Sequence, residues 1–171
     1  MKSPRIKKLL KKILSVLESL EHPWSPLLSH HQEIELSVSL CDDRQMRALN
    51  RTFRAKNKPT DVLSFPLLIE ARKKTVQPGL MGDLVISLPT MIRQARMYRQ
   101  PPNREFLRLA VHGLLHLLGH DHEKVPSSVA RRMRSIEKKV LEELYPELDR
   151  EAYASVKKRA GAPRLARRSR S

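Results

Sequence analysis

The sequence has a single cysteine, Cys41, so no disulfide can close within the chain. That suits a reducing compartment. It has no apolar run near the ~18 residues that a membrane span requires. Its first residues do not form the apolar core of a signal peptide either, because Lys7, Lys8, Lys11 and Lys12 interrupt it. These absences argue against a secreted or membrane-spanning protein and lead to the expectation of a cytoplasmic one. Acids are missing from residues 1–17, which are basic and amphipathic; a mitochondrial presequence is the rival reading of that segment.

What is present fits one globular core. The chain has 171 residues, of which 40% are hydrophobic and 30% charged, which is enough for one sizeable core and short for two. The net charge is +16, and +7 of it lies in residues 157–171, which contain no acid. The remaining +9 belongs to the folded part, and such an excess points to a polyanionic partner, nucleic acid before an anionic membrane. We expect one domain over residues 1–152 and a basic, disordered tail over 153–171.

The apolar spacing sets the elements. Ile6, Leu9, Leu10, Ile13, Leu14 and Leu17 predict an amphipathic helix, which His22-Pro23-Trp24-Ser25-Pro26 ends. His30 and His31 fall in the following loop. Ile34, Leu36, Val38 and Leu40 alternate with polar residues as in a half-buried strand. Asp42 or Asp43 caps a helix through Met46, Leu49 and Asn50. Val62–Pro66 and Asp83–Ser87 read as further strands, with a loop over 70–81 turning at Pro78-Gly79. Pro89 opens a helix with an apolar face of Met91, Ile92, Ala95 and Tyr98. A strongly apolar helix follows from Arg104 to Leu118, stopped by Gly119. After Pro126, a last helix carries Val129, Met133, Ile136, Val140 and Leu144.

Four of the seven histidines fall between positions 112 and 122. His112 and His116 are four apart and project from one helix face. Leucines and Val111 surround them, and two imidazoles in such a setting are costly without partners. A metal ion is such a partner and keeps both rings neutral. Gly119 can adopt positive φ and turn the chain so that His122 reaches the same ion. Three histidines and an open fourth position are the catalytic zinc pattern, whereas structural sites are closed by four protein ligands. His120 is read as a pocket or surface residue. Asp121 either orients a ligand or caps the turn. The spacing His-x-x-x-His-x-x-Gly-x-x-His is also that of the metzincin proteases, which need Glu directly after the first His as general base. Here that position is Gly113, so the usual route to peptide hydrolysis lacks its base.

Three blocks resemble one family. They are Asn50-Arg51-Thr52-Phe53-Arg54 with Lys58-Pro59-Thr60-Asp61-Val62-Leu63-Ser64-Phe65-Pro66, then Gly82–Ser87, then the histidine block. Together they resemble the YbeY family of zinc-dependent endoribonucleases, or rRNA maturation factors, over about residues 33–144. The resemblance implies a small α/β (α+β) fold, with a mixed sheet of about four strands covered by helices and the zinc site on a buried helix. It implies one zinc per chain on His112, His116 and His122, and a functionally important arginine at Arg54. The substrate it implies is ribosomal RNA, cut in single-stranded regions during maturation and ribosome quality control. The implied partners are the RNA precursor and the ribosome or ribosomal proteins, with no membrane and no small-molecule cofactor. There are three departures: the chain starts at its first helix, where the family has a strand; His120 occupies a position usually aromatic; and the basic tail after Tyr153 lies outside the shared region.

Arg54 also follows from chemistry. Phosphodiester cleavage builds negative charge on phosphate oxygens, which a planar guanidinium can clamp. Lys56, Lys58 and Arg51 either extend that footprint or are solvated surface charges, and taken singly each reads as the latter. Asp83 is read as a turn residue, and Asp61 and Ser64 as residues that shape the cleft. The attacking group is either a metal-activated water or the ribose 2′-OH. The readings from other classes are a non-catalytic ribosome-assembly factor with structural zinc and, behind it, a metalloprotease.

Overall fold

The chain is described from a computed structural model, which covers residues 4–20, 35–67, 80–120 and 125–160. Among these residues lie five helices and three strands: α1 (Pro4–Ser19), β1 (Glu35–Cys41), α2 (Asp43–Arg54), β2 (Val62–Pro66), β3 (Leu80–Ser87), α3 (Leu88–Met97), α4 (Pro102–Leu117) and α5 (Ser127–Ala160). The break at residues 22–26, His30, His31, the turn at 78–79, Asp121, His122 and the end of the tail lie outside the described residues.

The sheet runs β1-β3-β2. β1 lies parallel to β3, and β2 antiparallel to it. This is the mixed sheet of an α+β fold, as expected, with three strands rather than about four among the described residues. β3 starts at Leu80, inside the stretch read as loop, and Asp83 sits mid-strand opposite Ser37 and Phe65 rather than in a turn. The strand pattern is masked there by Gly82. Its φ is +138°, and a Cβ on it would meet the Phe65 carbonyl oxygen at 2.2 Å, so only glycine lets β2 and β3 approach at that point.

Helix boundaries follow their caps. Asp42 opens α2 with a capping box: the Gln45 amide donates to Asp42 Oδ1 at 2.7 Å, and the Asp42 amide donates to Gln45 Oε1 at 3.1 Å. Ser87 caps α3. Tyr98, expected on the buried face of α3, is its C-cap and is 52% exposed. Val129 is likewise exposed, whereas Met133, Ile136, Val140 and Leu144 are buried as their spacing requires. α5 continues through Pro146 to Ala160, past Tyr153 where the tail was expected to start. Proline inside a helix removes a hydrogen bond, but this turn is anchored from outside. Lys12 pairs with Glu147 and Glu151, Lys8 with Glu151, and Arg104 with Asp149 while lying over the Tyr145 ring.

α4 is the centre of the molecule. Leu107, Leu109, Ala110, Val111, Leu114, Leu115 and Leu117 are fully buried against the sheet, α1 and α5. Its buried carboxylate, Glu105, is paired with Arg108 one turn on, Nη2 to Oε1 at 2.6 Å.

A carboxylate cluster ties α2 to the β3–α3 junction. Asp43 accepts from Ser87 Oγ at 2.6 Å, from Thr90 Oγ1 at 2.7 Å and from Arg93 Nη1 at 2.7 Å. The Arg93 guanidinium, with the two hydroxyls, holds the Asp43 carboxyl at about 2, against an ordinary 3.8. A carboxyl held low in the folded state stabilises above its ordinary value and loses that contribution as pH falls towards the folded one. We therefore predict that Asp43→Ala costs about 1–2 kcal/mol at neutral pH. The melting curves of mutant and wild type, measured by circular dichroism, should draw together as pH falls from 4 to 2. A gap at pH 2 as wide as at neutral pH would contradict this linkage.

Candidate active site

The histidine helix ends as its glycine requires. Gly119 has φ +90°. Its amide donates to the His116 carbonyl at 3.0 Å, and the His120 amide donates to the Leu115 carbonyl at 2.9 Å. This pair of bonds is the Schellman closure of a helix C-terminus. It turns the chain at the point where the sequence demanded a turn.

His112 and His116 lie edge to face, with ring centroids 4.8 Å apart. Both line a cleft of about 750 Å³ that also holds Arg54, Lys56, Lys58 and His120. Behind His112, Glu137 of α5 places Oε2 3.5 Å from Nδ1. That is a close approach of carboxylate to ring rather than a hydrogen bond. A pair of imidazoles with a carboxylate behind one is a donor set that suits a borderline-soft divalent metal. Among the described residues no set of three metal-ligating side chains is complete, and His122 lies outside them.

Gly113 packs the helix onto the sheet. A Cβ there would meet Leu84 Cδ1 at 2.1 Å and Ser64 Oγ at 3.1 Å. Ser64 Oγ donates to the Gly113 carbonyl at 3.1 Å. The position after the first histidine thus faces β3 and not the cleft.

The opposite wall comes from α2 and the loop after it. Asn50, 3% exposed, lines the cleft, and its Nδ2 donates to the Lys58 carbonyl at 2.7 Å. Its own carbonyl receives the amides of Ala55 and, at 3.2 Å, Lys56. Arg54 follows one turn after Asn50 and is exposed at the cleft. Arg51 is exposed on the same helix but does not line the cleft.

Asp61 sits on the floor. Burial pushes its carboxyl up, but hydrogen bonds from Gln94, the Val62 amide and Thr60 outweigh that and hold it below the ordinary carboxylate range. Arg108 stands 3.6 Å away. Asp61 is therefore an ionised, fixed anion rather than a proton carrier near neutrality. Burial, then Asp42 and Asp43, push the Cys41 thiol up, which disfavours its thiolate. Sequence reasoning missed Glu137, Gln94 and the Glu105–Arg108–Asp61 chain. All are long-range partners, and the one local signal was an acid spaced three before an arginine on an apolar helix.

A buried helix that presents two imidazoles to a cleft with a basic rim defines an α+β protein with a candidate metal centre beside a wall of cations. The profile of the endoribonuclease YbeY family matches residues 1–145, and the chain belongs to this family. It is 52% identical to the endoribonuclease YbeY of Myxococcus xanthus over 110 residues, which are 64% of this chain and 36% of that one. It is 46% identical to that of Aquifex aeolicus over 111 residues, 65% of this chain and 71% of the relative. The match thus spans about a third of the length of the Myxococcus relative. A Thermotoga maritima protein solved in solution superimposes with a TM-score of 0.53 at 26% identity, over 87% of this chain and 89% of that one. Among the described residues, no helix is long and apolar enough to cross a membrane.

Proposed function

We propose that the protein is a metal-dependent endoribonuclease, a hydrolase that acts in ribosomal RNA maturation. The observation that carries this is the convergence of His112, His116 and Arg54 on one cleft, in a chain that belongs to the endoribonuclease YbeY family. We assign one Zn²⁺ per chain to His112, His116 and His122. When bound there, zinc supplies Lewis-acid activation of water and of a phosphoryl oxygen. The protein's own residues do the rest. Glu137 orients His112. Arg54 clamps the phosphate and neutralises the charge that builds on its oxygens. Lys56 and Lys58, exposed on the rim, hold neighbouring phosphates. Asp61 and Ser64 fix the floor and join it to α4. The proposed partners are the rRNA precursor and the ribosome, the proposed wider role is ribosome quality control, and the proposed place of action is the cytoplasm.

The test is cleavage of a structured rRNA precursor by wild type and Arg54→Ala. Removal of one preorganised donor to a developing oxyanion costs about 10²–10³-fold in rate, and we expect a loss of that size at unchanged melting temperature, since Arg54 is exposed. Equal rates would remove Arg54 from the mechanism.

A further inference from the structure

The cations of the cleft account for only part of the net charge of +16. A second concentration lies on α5. Its first half carries Arg131, Arg132, Arg134, Lys138 and Lys139, all exposed. Met133, Ile136 and Val140, interspersed with them, are buried in the core. The cations therefore cover the outward face of the helix.

Their spacing converges on one residue. Ser135 lies four after Arg131, three after Arg132, three before Lys138 and four before Lys139. Residues three and four apart are neighbours on a helix surface, so four cations surround one small, exposed hydroxyl. The acids nearby on the helix leave most of this charge unanswered. Glu137 is turned inward, with Oε2 3.5 Å from His112 Nδ1. Glu142 stands 3.6 Å from Lys138. Among the described residues, no ion pair joins an acid to Arg131, Arg132 or Lys139.

Helix stability does not require this pattern. Like charges three and four apart repel, as at Arg131, Arg134 and Lys138, and serine is a weaker helix former than alanine. A gap among four cations with a hydroxyl at its floor suits a phosphate group, to which it offers charge from several sides and a hydrogen-bond donor. A phosphodiester backbone fits better than a membrane surface. A helix that lies on a membrane turns its apolar face to the lipid, and the apolar face of α5 is spent on the core. Glu137 meets His112 on the inner side of α5 and Ser135 lies on the outer side. The cradle is thus separated from the histidines by about one helix thickness, roughly 10–12 Å.

We propose that Ser135 and the four cations around it form a second phosphate site, which holds the RNA backbone outside the cleft. The site rests on the endoribonuclease reading and deepens it. An RNA long enough to leave the cleft gains a second grip, and one that fills only the cleft does not.

Charge at position 135 tests this by binding and melting together. Fluorescence anisotropy over a range of salt is measured for wild type, Ser135→Glu and Ser135→Lys. Met97→Glu, at a position on α3 that is 66% exposed, controls for an acid added elsewhere. The probes are a structured rRNA fragment, a short oligoribonucleotide that fills only the cleft, and phosphatidylglycerol vesicles. We expect Ser135→Glu to bind the structured fragment about tenfold more weakly, with the slope of log affinity against log salt shallower by about one. Ser135→Lys should bind it more tightly, and both should bind the short oligonucleotide like wild type. Melting temperatures should move the other way, because Glu answers the four cations and Lys adds a fifth. Equal binding of the structured fragment by wild type and Ser135→Glu would overturn the site and leave the endoribonuclease reading standing. An equal loss in Met97→Glu would also overturn it, since net charge alone would then explain the effect. Vesicle binding lost in Ser135→Glu with RNA binding intact would overturn the RNA assignment and give the cations to a membrane. A wild type that binds neither RNA would overturn both readings.

Discussion

His116→Ala is expected to leave a folded protein with no bound zinc and RNA cleavage at least about 10³-fold slower, because metal activation contributes several kcal/mol to such reactions. The position is suited to this test. His116 is half-buried beside His112 at the last turn of α4, and the leucines that fix the helix lie on its other faces. The Schellman bonds to the carbonyls of Leu115 and His116 come from the backbone and survive the substitution. Metal content by mass spectrometry, circular dichroism and cleavage of the rRNA precursor would be measured on both proteins. About one zinc in the wild type and none in the mutant, with cleavage by the wild type alone, is the expected result. A mutant that keeps its zinc would remove His116 from the ligand set. Zinc bound by the wild type without cleavage would make the metal part of the scaffold.

Gly113→Glu writes the metzincin pattern into the sequence, and it should unfold the protein rather than create a protease. The new side chain would start 2.1 Å from Leu84 Cδ1, at a buried residue, and would drive a carboxylate between α4 and β3. Overpacking costs about 1–3 kcal/mol and an unpaired buried charge several more. Against a typical stability of about 5–15 kcal/mol, that sum removes half or more of the margin. Soluble yield and thermal melting test it. A mutant that melts within a few degrees of wild type would show that position 113 has room.

Of the candidate site, the pairing of His112 and His116 was legible because helical spacing alone puts them on one face, and Gly119 needs no long-range partner to take positive φ. The strands were legible where alternation holds, as in Leu36, Val38 and Leu40. They were not at Gly82, which fits close backbone approach instead of presenting a side chain, so β3 looked shorter than it is. The reach of α5 past Pro146 depends on lysines more than a hundred residues earlier, Lys8 and Lys12, and no local rule registers that. Tyr98 and Val129 continued an apolar spacing that the fold leaves uncovered. Phe53 was legible as part of a motif but not as an exposed ring.

One residue on α2 also governs how the rim could change. Asn50 holds the loop at both ends, taking the amides of Ala55 and Lys56 on its carbonyl and giving its side-chain amide to Lys58. The path of the loop is therefore set by a residue outside it. Side chains at 56 and 58 can be exchanged without redrawing that path, whereas an added or deleted residue between 55 and 58 would break the span. Over evolutionary time such a rim should hold its length even more strictly than its positive charge.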